Sequence, residues 1–216
     1  ILELSDRQLK DNFWLSTEYD VGLDRLELRY DLAEGESHYV LRTLPLFIKY
    51  EMFVGSFWSD VYPKLFKAPE CQELASVINM VERAVHSRFY RQLSEALELD
   101  NDAHFMDYLN HPELKSRTDK LKSWLSGEDK LNVCLAYSAV EGVFLFANFL
   151  GLRSFQMNGN NKIPVIVRGT IQSSVDEDLH SQALVTSINI MYRELGSSLP
   201  EDVERLRQFK ELLADG

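Results

Sequence analysis

At 216 residues, with 45% hydrophobic content, the chain is large enough and apolar enough for one domain with a proper core. A net charge of −11 excludes nonspecific nucleic-acid binding through a basic face. Two cysteines, Cys71 and Cys134, lie far apart in apolar contexts and predict reduced core thiols, not a disulfide framework; with no signal-peptide pattern at Ile1, a cytoplasmic location is expected.

Residues 1–32 follow no single clean period and predict short helix and extended chain. A helix is predicted from about Glu36 to Trp58, through the apolar run LRTLPLFIKYEMFVGSFW that carries Glu51. The segment DVYPKLFKAPE, with Pro63 and Pro69, reads as a connection. From Glu70 to about Leu99, Leu74, Val77, Ile78, Val81, Val85, Phe89 and Leu93 recur at helical spacing. Asn101 and Asp102 mark a stop, followed by helices over about Ala103–Leu109 and Pro112–Leu125. After a turn at Ser126–Asp129, a long apolar helix is predicted to about Phe155, then a turn at Asn158–Asn161. A helix beginning after Pro164 carries Glu177 and His180 and ends near Leu195; Gly196–Pro200 breaks it, and a last amphipathic helix starts near Pro200. With no fixed-period repeat, low-complexity tract or long linker, residues 1–216 are expected to form a single all-α domain.

Between Leu131 and Leu152 the chain reads LNVCLAYSAVEGVFLFANFLGL, and Glu141 is its only charged residue. The run has the length of a membrane span. Central Glu141, with Asn132, Tyr137, Ser138 and Asn148, favours a buried core helix and no membrane. A buried carboxylate requires a partner. Three other segments offer one: Glu177 with His180, Glu82 with His86, and Glu51 in its own apolar run. Glu and His three or four residues apart share a helix face, so four helices could aim six ligands at one point. Carboxylate and imidazole donors in a helical bundle suit a pair of iron or manganese ions. The Glu82/His86 pair is one residue wider than the Glu177/His180 pair, and a local π-bulge would bring it closer to the same register. Either pair alone is a weak signal; the strength lies in two pairs plus two isolated carboxylates on separate apolar helices.

The order Glu51, Glu82/His86, Glu141, Glu177/His180 resembles the radical-generating small (beta) subunit of class I ribonucleotide reductase. His86-Ser87-Arg88-Phe89-Tyr90 is similar to that family's His-Ser-x-x-Tyr segment, and Phe13 to Asp20 to its Phe-Trp-x-Pro-x-Glu-x-Asp segment, with Ser16 in place of proline. Asn160-Asn161-Lys162-Ile163 and Asp176 to His180 resemble its Asn-x-Lys-Ile and Asp-Glu-x-x-His stretches. The resemblance runs from about Phe13 to about Met191 and implies a ferritin-like bundle with a dinuclear metal site. It implies metal ligation by Glu51, Glu82, His86, Glu141, Glu177 and His180, a tyrosyl radical on Tyr90, and Asp176 linking His86 to the relay residue Trp14. Leu145 and Phe149 would wall the tyrosine. The implied partners are a large catalytic subunit and a second copy in a homodimer, with an activating flavoprotein left open. The implied metals are two irons, with Mn/Fe or Mn/Mn as alternatives.

Three departures stand out. The residue three before His86 is Arg83, so Glu82 must take over as ligand or the site lacks one. Glu51 stands where tyrosyl-radical members usually carry Asp. The family's C-terminal tail has no counterpart in these residues. Two rival readings remain: a dinuclear oxidase acting on a small apolar ligand, and a non-catalytic iron-binding protein or a relic broken by Arg83. His38, His104 and His111 read as surface or capping residues, Asp178 as pointing away from the site, and Met52, Met80 and Met157 as packing.

Overall fold

The helical periods of the sequence become helices around one apolar core in a computed structural model that describes residues 1–99, 103, 106–126, 130–195 and 204. Among the described residues there is no strand. The architecture is all-α and ferritin-like. The helices are α1 (Leu2–Lys10), α2 (Arg25–Tyr30), α3 (Glu34–Ser56), α4 (Tyr62–Leu65), α5 (Pro69–Val81), α6 (Ser87–Ala96), α7 (Pro112–Leu125), α8 (Lys130–Ala139), α9 (Leu145–Arg153) and α10 (Pro164–Leu195). Helix α10 packs on α8 and α9, α3 on α6, and α1 on α5 and α10.

Among the described residues three π turns shape the bundle: Phe57–Val61 joins α3 to α4, Glu82–His86 joins α5 to α6, and Val140–Phe144 joins α8 to α9. Each takes up one extra residue per turn and rotates the side chains that follow it. The expected connection over residues 60–70 is therefore only partly one, because helix continues through the π turn to Leu65. Pro63 does not interrupt it. Proline is tolerated in the first turn of a helix, where its missing N–H has no rung to fill, and Pro69 likewise opens α5. Helix α3 starts two residues earlier than expected, at Glu34, because the Glu36 carboxylate accepts the Ala33 N–H at 2.9 Å.

The apolar stretch Asn132–Gln156 is long and apolar enough to cross a membrane by length and composition. Here it contributes Cys134, Tyr137, Val140, Leu145 and Leu152 to the core. Both cysteines are free and buried, and burial pushes the Cys134 thiol up to about 12. Met80 packs on the core as expected, whereas Met52 and Met157 are exposed. The stop at Asn101–Asp102, His104 and Phe105 of the helix expected over 103–109, part of the 126–129 turn, the break at 196–200 and nearly all of the last helix lie outside the described residues, and the end of the 103–109 segment is a 3-10 turn over Asp107–Asn110.

The N-terminal segment fixes the start of α10. Asp24 accepts the Ile166 N–H at 2.7 Å, Glu27 accepts the Ile163 N–H at 2.8 Å, and the Lys162 ammonium donates to Glu36 at 2.7 Å. Carboxylates at a helix N-terminus satisfy its orphan donors and its positive dipole end. Further along α10, Gly169 permits close approach of α6, since a Cβ there would lie 2.1 Å from Phe89 Cζ. Together these contacts set the depth at which α10 presents Ser173, Asp176, Glu177 and His180.

Candidate metal centre

Six side chains from four helical segments converge in the core, and none of them is exposed to solvent. Glu51 comes from α3, Glu82 and His86 from the α5–α6 π turn, Glu141 from the α8–α9 π turn, and Glu177 and His180 from α10. They form two overlapping groups, Glu51, Glu82, His86 and Glu177, then Glu82, Glu141, Glu177 and His180. Within each, one donor atom per residue lies within 4.8 Å of the others. Glu82 and Glu177 belong to both groups, the arrangement expected of carboxylates that bridge two ions.

The π turn over Glu82–His86 accommodates the extra residue in this pair. The Ser87 N–H reaches back to the Glu82 carbonyl, and both side chains are buried. Arg83 lies on the outer face, where its Nε donates to Asn79 Oδ1 at 3.1 Å and its terminal nitrogen to Ser56 Oγ at 3.1 Å. The cation that would repel metals is thus outside the cluster.

Charge balance shows what the cluster is built to hold. His86 Nδ1 lies 3.3 Å from Glu51 Oε2 and from Glu177 Oε1, and 3.4 Å from Glu82 Oε2. His180 Nδ1 lies 2.7 Å from Glu82 Oε1 and 2.9 Å from Glu177 Oε2. Burial, reinforced by Glu82, holds the Glu51 carboxyl well above the usual carboxylate range. Burial together with Glu177 and Glu82 does the same to Glu141. Burial alone would raise Glu82 too, but the His86 and His180 imidazoles hold it well below the usual range. Both imidazoles are pushed up against the effect of burial by the surrounding carboxylates, His180 to about 9. Without metal, the cluster compensates its buried negative charge with protons. Two divalent ions would supply positive charge in their place.

Glu51 Oε1, both oxygens of Glu82, Glu141 Oε2 and Glu177 Oε1 are buried without a hydrogen-bond partner. Such groups are costly unless satisfied, and oxygen donors turned on one another are what a pair of hard cations requires. The donor set fits a dinuclear metal site.

Around it, His86 Nε2 is 2.9 Å from Asp176 Oδ2, and the Trp14 indole donates to the same oxygen at 2.8 Å. Glu18 accepts the Leu15 N–H at 2.8 Å and holds the turn that carries Trp14, although Ser16 replaces the proline of the resembled motif. Tyr90 is fully buried and stacks on Phe47 with ring centroids 4.8 Å apart. Phe149 stands behind Phe47 at 4.9 Å, so the expected wall of the tyrosine has Phe47 as its inner ring. Asp178 is exposed and accepts from Gln182, His38 is exposed, and His111 sits at the N-terminus of α7 beside Asp107.

Sequence reasoning missed three polar neighbours. Trp58 donates its indole N–H to Glu141 Oε1 at 3.1 Å; a buried tryptophan needs such an acceptor, and that requirement was the available signal. Ser173 accepts from Tyr90; it precedes Asp176 and Glu177 by one helical turn, which was legible. Gln8 donates to Asp176 Oδ1 at 2.7 Å across 168 residues of chain, and no local pattern could have shown it. Replacing Gln8 by alanine strips that oxygen of its donor. Denaturant unfolding of the metal-free protein is expected to show a loss of about 1–3 kcal/mol with an unchanged slope. An unchanged midpoint would mean that Asp176 has another donor.

A family model described as "Ribonucleotide reductase, small chain" matches residues 4–212. A ribonucleoside-diphosphate reductase small subunit from Dictyostelium discoideum is 23% identical over 89% of this chain and 57% of its own length. Small chain 2 from Saccharomyces cerevisiae is 23% identical over 68% of this chain and 43% of its own. The chain thus spans about half the length of the curated relatives it matches. Among solved structures, dimanganese(II)-NrdF from Streptococcus sanguinis superposes with a TM-score of 0.82 at 18% identity, covering 98% of this chain and 73% of that one. An R2-like ligand-binding oxidase mutant with a Mn/Fe cofactor gives 0.66 at 15% identity, covering 89% and 73%.

Proposed function

The chain belongs to the ribonucleotide reductase small-chain family, and from that premise we propose that it carries a dinuclear metal cofactor used to place a radical on Tyr90. A large catalytic subunit would draw on that radical to convert ribonucleoside diphosphates to deoxyribonucleotides. The observation that carries this reading is the buried pair of overlapping four-residue groups sharing Glu82 and Glu177, with Tyr90 and Trp14 close by.

In this reading Glu51, Glu82, His86, Glu141, Glu177 and His180 hold the metals. A bound redox-active pair would reduce dioxygen and so supply the one-electron oxidising power toward Tyr90 that side chains lack. The protein's own part is to orient and to keep dry. Asp176 receives His86 Nε2, which fixes the tautomer and leaves Nδ1 facing the carboxylates. The same oxygen binds the Trp14 indole, so Trp14, Asp176 and His86 make a continuous path into the centre. Burial, then the Glu51 charge, hold the Tyr90 phenol well above its usual value. Tyr90 is therefore a neutral phenol, and its oxidation must remove a proton with the electron. Iron at both positions is the first expectation, and Mn/Fe or Mn/Mn pairs suit the same donors. We further propose residues 1–216 as one domain, a homodimer, and a cytoplasmic setting. The position of Arg83 outside the cluster favours a working site over a relic.

The test is electron paramagnetic resonance of protein loaded anaerobically with Fe(II), exposed to air and frozen, beside Tyr90→Phe. The expected result is a tyrosyl doublet in the parent, absent from the variant at equal iron content. Two bound irons without a radical would contradict the Tyr90 assignment and favour oxidase chemistry.

A further inference from the structure

The Tyr90 hydroxyl donates to Ser173 Oγ at 3.1 Å, and both side chains are fully buried. The neighbouring hydroxyls of α10 turn back onto their own helix: Thr170 donates to the Val167 carbonyl at 2.9 Å and Ser174 to the Ile171 carbonyl at 2.7 Å. Ser173 instead meets a side chain 83 residues away in sequence. It does so beside the rings of Phe47 and Phe89, which pack on Tyr90. A hydroxyl buried against aromatic carbon is costly unless its hydrogen bond is used. The register between the two helices is fixed one turn earlier, where Phe89 lies over Gly169.

A serine hydroxyl is both acceptor and donor and rotates to suit its partner, whereas a phenoxyl oxygen can only accept. We propose that Ser173 is the positioning residue of Tyr90, accepting from its phenol in the resting protein and turning to donate to its oxygen once it is oxidised. This rests on the radical reading above. Tyr90 would give up one electron together with its phenolic proton to the four-electron reduction of dioxygen to the water level, two further electrons coming from the reduced metal pair and the fourth from an external one-electron reductant such as excess Fe(II). Ser173 keeps its own proton throughout and changes only the direction in which that proton points. Two consequences follow. The phenol oxygen is held in one place before and after oxidation, and the radical oxygen carries one hydrogen bond from a protein hydroxyl.

The test compares Ser173→Ala and Ser173→Thr with the parent by two readouts. In metal-free protein, ultraviolet resonance Raman difference spectra against Tyr90→Phe isolate the Tyr90 bands. These are expected to report a donating phenol in the parent and in Ser173→Thr, and to shift to those of a free phenol in Ser173→Ala. In iron-loaded, air-exposed protein, high-field electron paramagnetic resonance in D2O is expected to show an exchangeable deuteron coupled to the radical in the parent and the threonine variant. The alanine variant should lose that coupling, and its largest g value should rise. Identical spectra for alanine and parent in either readout would overturn the proposal. If no variant forms a radical although two irons bind, the radical reading fails, and the donor half of the proposal is decided by the Raman bands alone.

Discussion

Replacing Glu82 by alanine is expected to abolish binding of the metal pair, while replacing its neighbour Arg83 by alanine leaves two ions per chain. Glu82 belongs to both ligand groups, so its loss removes a donor from each. Residues that merely orient a ligand typically cost ~10–100-fold in metal affinity, and loss of a bridging carboxylate should exceed that. Arg83 is hydrogen-bonded to Asn79 and Ser56 on the outer face and contributes no donor. Metal analysis after anaerobic titration and desalting reads the difference directly. Retention of two ions by the Glu82 variant would show that the π turn does not present this carboxylate. Glu141→Gln separates metal binding from folding. Burial keeps the Glu141 carboxyl well above its usual range, so an uncharged amide mimics its metal-free form. Metal-free stability should change little, because the amide oxygen can still accept the Trp58 N–H, while metal binding weakens.

Gly169→Ala is expected to be the most damaging small substitution in α10. The added Cβ would fall 2.1 Å from Phe89 Cζ, and Phe89 is itself fully buried among core residues. Overpacking costs about 1–3 kcal/mol and occasionally more. The better helix propensity of alanine returns about 1 kcal/mol. A net loss of up to about 2 kcal/mol corresponds to a fall in Tm of up to roughly 4–8 °C for a chain of this size. The double variant with Phe89→Leu should recover part of it, because the two sites share the contact and will not be additive. Full additivity in thermal melts of the four proteins would show that α6 and α10 do not meet there. The same displacement would move Ser173 from Tyr90, so the variant should also weaken their hydrogen bond.

The convergence of the six candidate donors was legible because each breaks a local rule. A carboxylate in an apolar helix announces itself, as Glu141 and Glu51 do, and Glu177 and His180 add a spacing that puts both on one face. The π turn at Glu82–His86 was legible for a related reason: a pair one residue too wide must be absorbed somewhere in the helix. What escaped was set by tertiary packing. Gln8 meets Asp176 only because α1 lies against α10. Phe47 is the inner ring over Tyr90 because α3 packs on α6, which the apolar run around Glu51 does not show by itself. The continuation of helix through Trp58 to Leu65 was hidden by Pro63, whose tolerated position at a helix start looks in sequence like a break.

Anomalous diffraction from crystals of metal-loaded protein, recorded across the iron and manganese edges, tests the central claim most directly. Two peaks about 3.5–4 Å apart are expected, the spacing of two-metal sites. One peak should lie among Glu51, Glu82, His86 and Glu177, the other among Glu82, Glu141, Glu177 and His180. A single peak, or a pair that leaves Glu82 uncoordinated, would contradict the account.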